Sequence, residues 1–92
     1  MIKTSETSVK THYICQTYSE KLVGRAKQPA LQIAKTIECS SAAAAEERAR
    51  RTFEGGLCVG ADAFFLTSDP DTGDVSAPTF LTRQGNVPTL EL

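Results

Sequence analysis

Ala42–Glu54, reading AAAAEERARRTFE and followed by Gly55-Gly56, is the stretch whose reading decides the fold. Four consecutive alanines carry the highest helix propensity of any residue. Glu46–Arg50 and Glu47–Arg51 are i,i+4 pairs in the favoured order, acid first. The same order suits the helix dipole. Ser40 or Ser41 offers an N-cap oxygen, and Gly55-Gly56 offers a left-handed C-cap. Ala42, Ala45, Ala49 and Phe53, with Thr52 at the edge, make a narrow apolar stripe. Its small side chains allow close approach to a sheet.

The flanks supply that sheet. Upstream, residues 12–18 (HYICQTY) are rich in β-formers and read as strand one, starting at the earliest near Val9. Tyr13, Cys15 and Thr17 fall on one face, and His12, Ile14, Gln16 and Tyr18 on the other. Residues 19–30, punctuated by Gly24 and Pro29, read as a connection into which the arms of a long hairpin can extend. Residues 31–38 (LQIAKTIE) alternate as strand two, with Leu31, Ile33, Lys35 and Ile37 on one face. A helical reading of this segment competes poorly with the helix start that follows it.

Downstream, residues 57–68 (LCVGADAFFLTS) read as strand three. Gly60 inside it signals a bulge or a close backbone approach. Phe64 and Phe65 are adjacent and point to opposite faces. Residues 69–74 (DPDTGD) read as a turn, with Pro70 setting φ and Gly73 supplying positive φ. Residues 75–83 (VSAPTFLTR) read as strand four. Pro78 places it at an edge or delays its start.

The order β-β-α-β-β predicts an α+β domain, a four-stranded, mainly antiparallel sheet with one helix on one face. The expected organisation is a flexible segment at 1–10, one domain at 11–88 and a tail at 89–92. One helix covers one face only. The other face then carries surplus apolar strand surface, which predicts a homodimer or a protein partner through the open face or an edge strand.

Composition narrows the function classes. The chain has 92 residues, 40% of them apolar and 23% charged, enough for one domain with a modest core. No apolar run reaches the roughly 20 residues of a membrane helix, and the first ten residues lack a signal-peptide pattern. The chain reads as cytoplasmic, with no membrane partner. Charge is uneven. Lys3, Lys10, Lys21, Arg25, Lys27 and Lys35 face only Glu6 and Glu20 in residues 1–35, whereas Arg83 faces Asp62, Asp69, Asp71, Asp74 and Glu91 in residues 55–92. Loop solubility explains this, and so do complementary ends that steer self-association.

The motifs with chemical potential each have a structural reading. His12 is the only histidine and has no catalytic companion nearby in sequence. Cys15, Cys39 and Cys58 are odd in number and widely spaced, which reads as free thiols in the core rather than disulfides or a zinc site. Cys15 and His12 have opposite strand parity, against shared ligation. Cys39, just before the helix, is the best placed for a thiol-dependent redox role. DPDTGD has too few oxygen ligands and no distal Glu for a calcium loop, and the glycines form no phosphate loop. No catalytic, cofactor-binding or metal-binding residue is expected. Lys21, Arg25 and Lys27 form a basic loop beside strands that carry Tyr13 and Tyr18, which supports a nucleic-acid-binding alternative. The candidate interaction residues are therefore Tyr13, Tyr18, Lys21, Arg25, Lys27, Phe65 and Phe80.

Asp69-Pro70-Asp71-Thr72-Gly73-Asp74, then Leu81, Arg83, Gly85, Val87 and Pro88, carry a resemblance. Over roughly residues 42–88 the chain resembles a set of small uncharacterised bacterial proteins. These share a central Ala/Arg/Glu helix, a D-P-(D/E)-T-G-(D/E) hairpin and an L-x-R-x-G-x-V-P tail. The resemblance implies the β-β-α-β-β architecture and no catalytic residue. The leading expectation is a non-enzymatic interaction or regulatory module acting as a homodimer.

Overall fold

The computed structural model describes residues 9–89. Strands β1 (Lys10–Val23) and β2 (Gln28–Cys39) form a long hairpin, followed by helix α1 (Ala42–Glu54), β3 (Gly60–Ser68) and β4 (Thr79–Gly85). All four strands join one antiparallel sheet in the order β2-β1-β3-β4. The α+β, β-β-α-β-β layout expected from the helix and its flanks is what the chain adopts. Most of segment 1–10 and of tail 89–92 lies outside the described residues, but Lys10 already pairs with Ser68.

Helix α1 forms where its composition demands. The Ser41 hydroxyl accepts from the Ala44 N–H at 3.1 Å. At the other end Gly56 takes φ +75°, with Gly56 N–H bonded to the Phe53 carbonyl and Leu57 N–H to that of Thr52. This is the paired closure of a glycine-stopped helix. The stripe seats Ala45 and Ala49 on Cys15, Ala61 and Ala63, all fully buried. Tyr13, Cys39, Phe53, Cys58 and Leu81 close the rim of this core.

Two bulges overturn the simple alternation. In β2 the register passes from Thr17↔Lys35 to Tyr18↔Ile33, so Ala34 is the extra residue. Ile37 and Lys35 therefore face the helix side with Cys15 and Thr17, while Ile33 and Leu31 pair with Tyr18 and Glu20 on the opposite face. The single face expected for Leu31, Ile33, Lys35 and Ile37 is split, because one inserted residue reverses every side chain beyond it. In β4 the register passes from Ala63↔Thr82 to Phe64↔Phe80, with Leu81 inserted. This turns Phe80 away from the helix, next to Phe64.

The hairpin outruns the sheet. Pairing of β1 with β3 stops at Tyr18↔Gly60, whereas β1 and β2 stay paired to Val23↔Gln28. Residues 19–32 thus form a two-stranded ribbon, and strand one is longer than the 12–18 core of its sequence signal. The molecule extends 62 Å along its long axis. The turn at residues 69–74 caps the opposite end, with Gly73 at φ +80° and Asp69 Oδ1 accepting from the Asp71 N–H at 2.9 Å. β4 starts only after Pro78 and lies at a sheet edge, as the proline requires. Gly60 is the site of a close approach: a methyl group there would overlap the Asn86 carbonyl.

Candidate functional site

The face of the sheet away from α1 is built by alternate residues of all four strands, re-aimed by the two bulges. At its centre Asp62 is fully buried. Arg83, directly across β3–β4, holds it through Nε to Oδ1 at 2.7 Å and Nη2 to Oδ2 at 2.9 Å. The Tyr18 hydroxyl donates to Asp62 Oδ2 at 2.8 Å, and Gln16 Nε2 donates to Tyr18 at 3.0 Å. Thr36 in turn donates to Gln16 Oε1 at 2.9 Å. A polar chain therefore spans the whole sheet from β2 to β4. Burial pushes the Tyr18 phenol above its usual range, with Asp62 adding to the shift and the Gln16 hydrogen bond opposing it. The hydrogen bond to Asp62 raises the Arg83 guanidinium further above its ordinary value, with burial opposing. The guanidinium also lies 4.2 Å from the Phe80 ring centre, and Phe80 packs on Phe64 at 5.5 Å.

Nearer the acidic turn, Glu38, His12 and Ser68 form a second chain. His12 Nδ1 meets Glu38 at 2.8 Å and Nε2 meets the Ser68 hydroxyl at 2.8 Å. The order matches that of a hydrolytic triad, a link that strand parity alone did not reveal. The two backbone donors flanking Ser68 are already engaged. The adjacent Thr67 N–H binds the Ser76 hydroxyl and the Asp69 N–H binds the Asp74 carbonyl. A surface concavity of about 460 Å³ lies instead along the outside of α1 beside Arg48, Thr52 and Leu57. The chain reads as a cross-strand tie joining β2, β1 and β3.

The ribbon carries three of the exposed large apolar residues, Leu22, Val23 and Ile33, while Val9, Leu57 and Val75 are exposed elsewhere. Leu22 and Ile33, 60% and 59% exposed, share a face with Leu31 and Pro29, continuous with the open sheet face. Lys21 and Val23 occupy the other face. Arg25 and Lys27 sit in the tip, where Lys27 holds φ +56° and bonds back to the Gly24 carbonyl.

The predicted candidates separate in this arrangement. Tyr13 packs on the helix side against the core and near Phe65, ring centres 6.3 Å apart. Tyr18 is 4% exposed with its hydroxyl bound to Asp62. Tyr18 presents no free ring to a base, because it is buried and bound to a buried carboxylate, whereas Tyr13 is half-buried on the helix side. Phe64, not Phe65, occupies the open face, beside the predicted Phe80. Lys21, Arg25 and Lys27 are exposed as expected. The cysteines are free; Cys15 is fully buried, and Cys39 and Cys58 are half-buried on the core's rim. Burial, reinforced by Cys39, pushes the Cys15 thiol up.

Asp62 and Arg83 were missed, although the sequence held the signal. An aspartate inside the apolar run GADAFF needs a cation when buried, and Arg83 is the sole Lys or Arg after residue 54. No helix is long and apolar enough to cross a membrane among the described residues. In comparison with known proteins, no family model, curated protein or solved structure matches this chain.

Proposed function

We propose that this chain is a non-enzymatic protein-interaction module that works as a homodimer, with the open sheet face and its ribbon as the contact surface. The observation that carries this reading is the exposure of Leu22 and Ile33 on a ribbon with no third strand and no helix behind it. A two-stranded hairpin alone is marginal in water, so an apolar ribbon face calls for a cover. The sheet edges are poorer candidates. β2 carries Pro29, a bulge at Ala34 and Lys35, which blunt edge pairing, and β4 has only seven residues. Three free thiols fit a reducing compartment such as the cytoplasm.

Sedimentation equilibrium over a wide concentration range tests the reading. A dimer is expected, and Leu22→Lys with Ile33→Lys shifts it to monomer with an unchanged far-ultraviolet spectrum. A wild-type chain that stays monomeric at high concentration overturns it. Nucleic-acid binding is the second reading, favoured by the exposed Lys21, Arg25 and Lys27. Titration with mixed oligonucleotides at low salt, where phosphate contacts are strongest, decides it.

A further inference from the structure

The two charged ends of this molecule lie at opposite ends of its long axis, and that placement specifies how a second copy would sit. Arg25 and Lys27 occupy the ribbon tip, while Asp69, Asp71 and Asp74 occupy the β3–β4 turn at the other end of a 62 Å long axis. The strand directions force this separation. β1 runs from the turn end to the tip, and β3 and β4 pair antiparallel behind it without reaching the ribbon. Within one molecule the tip and the turn cannot meet.

We infer that two copies pack open face to open face, antiparallel, about a two-fold axis lying between the sheets and oblique to the strands, so that the β1–β2 tip crosses over to the partner's β3–β4 turn. Each basic tip then rests on the other copy's acidic turn. This arrangement rests on the homodimer reading above and adds its orientation and register. The two-fold makes both tip-to-turn contacts at once, as an isologous interface requires. It lays the ribbon's Leu22, Leu31 and Ile33 over the partner's end of the sheet, where Ile14, Leu66 and Phe80 are only half-buried. Two sheets packed face to face in this way follow the aligned geometry of sandwiches.

The polar middle of the face tolerates being covered. Asp62 is held at both oxygens by Arg83, Tyr18 donates to Asp62, and Gln16 both donates and accepts. Covering them adds no unpaired charge, which would otherwise weigh against burial. A parallel face-to-face dimer would instead set Arg25 and Lys27 against the partner's Arg25 and Lys27, a like-charge arrangement that disfavours it.

Paired charge reversals on the full chain test the arrangement. Arg25→Glu with Lys27→Glu, and separately Asp71→Lys with Asp74→Lys, should each weaken dimerisation at least about 10-fold at low salt. Asp69 stays in place because it braces the turn. Mixing the two variants should recover a heterodimer of near wild-type affinity, since opposite charges face each other again. Zero-length carbodiimide coupling of the wild type should join Lys27 to the 69–74 turn, a link that only two copies can make. A dimer insensitive to both reversals, or a mixture that fails to recover, overturns this arrangement and leaves the dimer standing. A strictly monomeric wild type removes both. Monomeric chain whose tip binds oligonucleotides, with binding lost in Arg25→Glu/Lys27→Glu, reassigns the tip to nucleic acid.

Discussion

Arg83 grips both carboxylate oxygens of the fully buried Asp62 from the neighbouring strand, at 2.7 and 2.9 Å. This two-point bond is the hinge of the open face. It satisfies the one charge that β3 buries and turns the Arg83 guanidinium onto Phe80.

Removing one partner of this pair leaves the other stranded. Arg83→Met is expected to cost about 3–5 kcal/mol, the usual penalty for an uncompensated buried charge. Asp62→Leu combined with Arg83→Met should recover part of that loss, because an apolar pair replaces the ions while the buried Tyr18 hydroxyl loses its acceptor. Urea denaturation of the two single variants and the double variant measures the coupling. A double variant as unstable as Arg83→Met alone would show that the pair itself supplies the stability.

Alkaline pH should unfold the protein through groups on both faces. Cys15 must stay neutral in the core, where burial and the nearby Cys39, Cys58 and Asp62 oppose its ionisation and only Arg48 favours it. Tyr18 is raised by burial and by Asp62. A raised folded-state pKa gives stability that is complete below the unfolded value and is lost as pH rises through the folded one. The loss therefore begins near pH 9.0 for Cys15 and near 10.0 for Tyr18, their ordinary values. In reducing buffer the urea midpoint should fall above about pH 9, and Cys15→Ala should flatten the first part of that fall.

Glycines should divide sharply by position. Gly85 holds φ +70°, and a methyl group there would overlap the Phe53 ring and press on the Val59 carbonyl. Gly85→Ala is expected to cost about 3 kcal/mol, from backbone strain and overpacking together. Gly24, at φ +74° in the ribbon tip, has open space around it. Gly24→Ala should cost only about 1 kcal/mol, from the backbone alone. Thermal unfolding of the two variants gives the comparison directly.

Local chemistry made much of the fold legible. The helix at Ala42–Glu54 matches its sequence reading residue for residue, because alanine propensity, spaced ion pairs, a serine cap and a glycine stop all act within one segment. DPDTGD was readable as a turn for the same reason. The strand parities of Tyr13 against Tyr18 and of Phe64 against Phe65 also held. Strand ends were less visible, since Lys21, Leu22 and Pro29 say little until β1 and β2 pair.

What the chain by itself determined is the order of elements, the helix with its caps and the turn. Tertiary structure alone decided which residues occupy the open sheet face. Bulges at Ala34 and Leu81 exist only where two strands of unequal local length must stay in register, and each reverses the side chains beyond it. They send Ile33 and Phe80 to the open side. The Asp62–Arg83 and Glu38–His12–Ser68 contacts likewise join residues 21 to 56 positions apart, a distance across which spacing carries no signal.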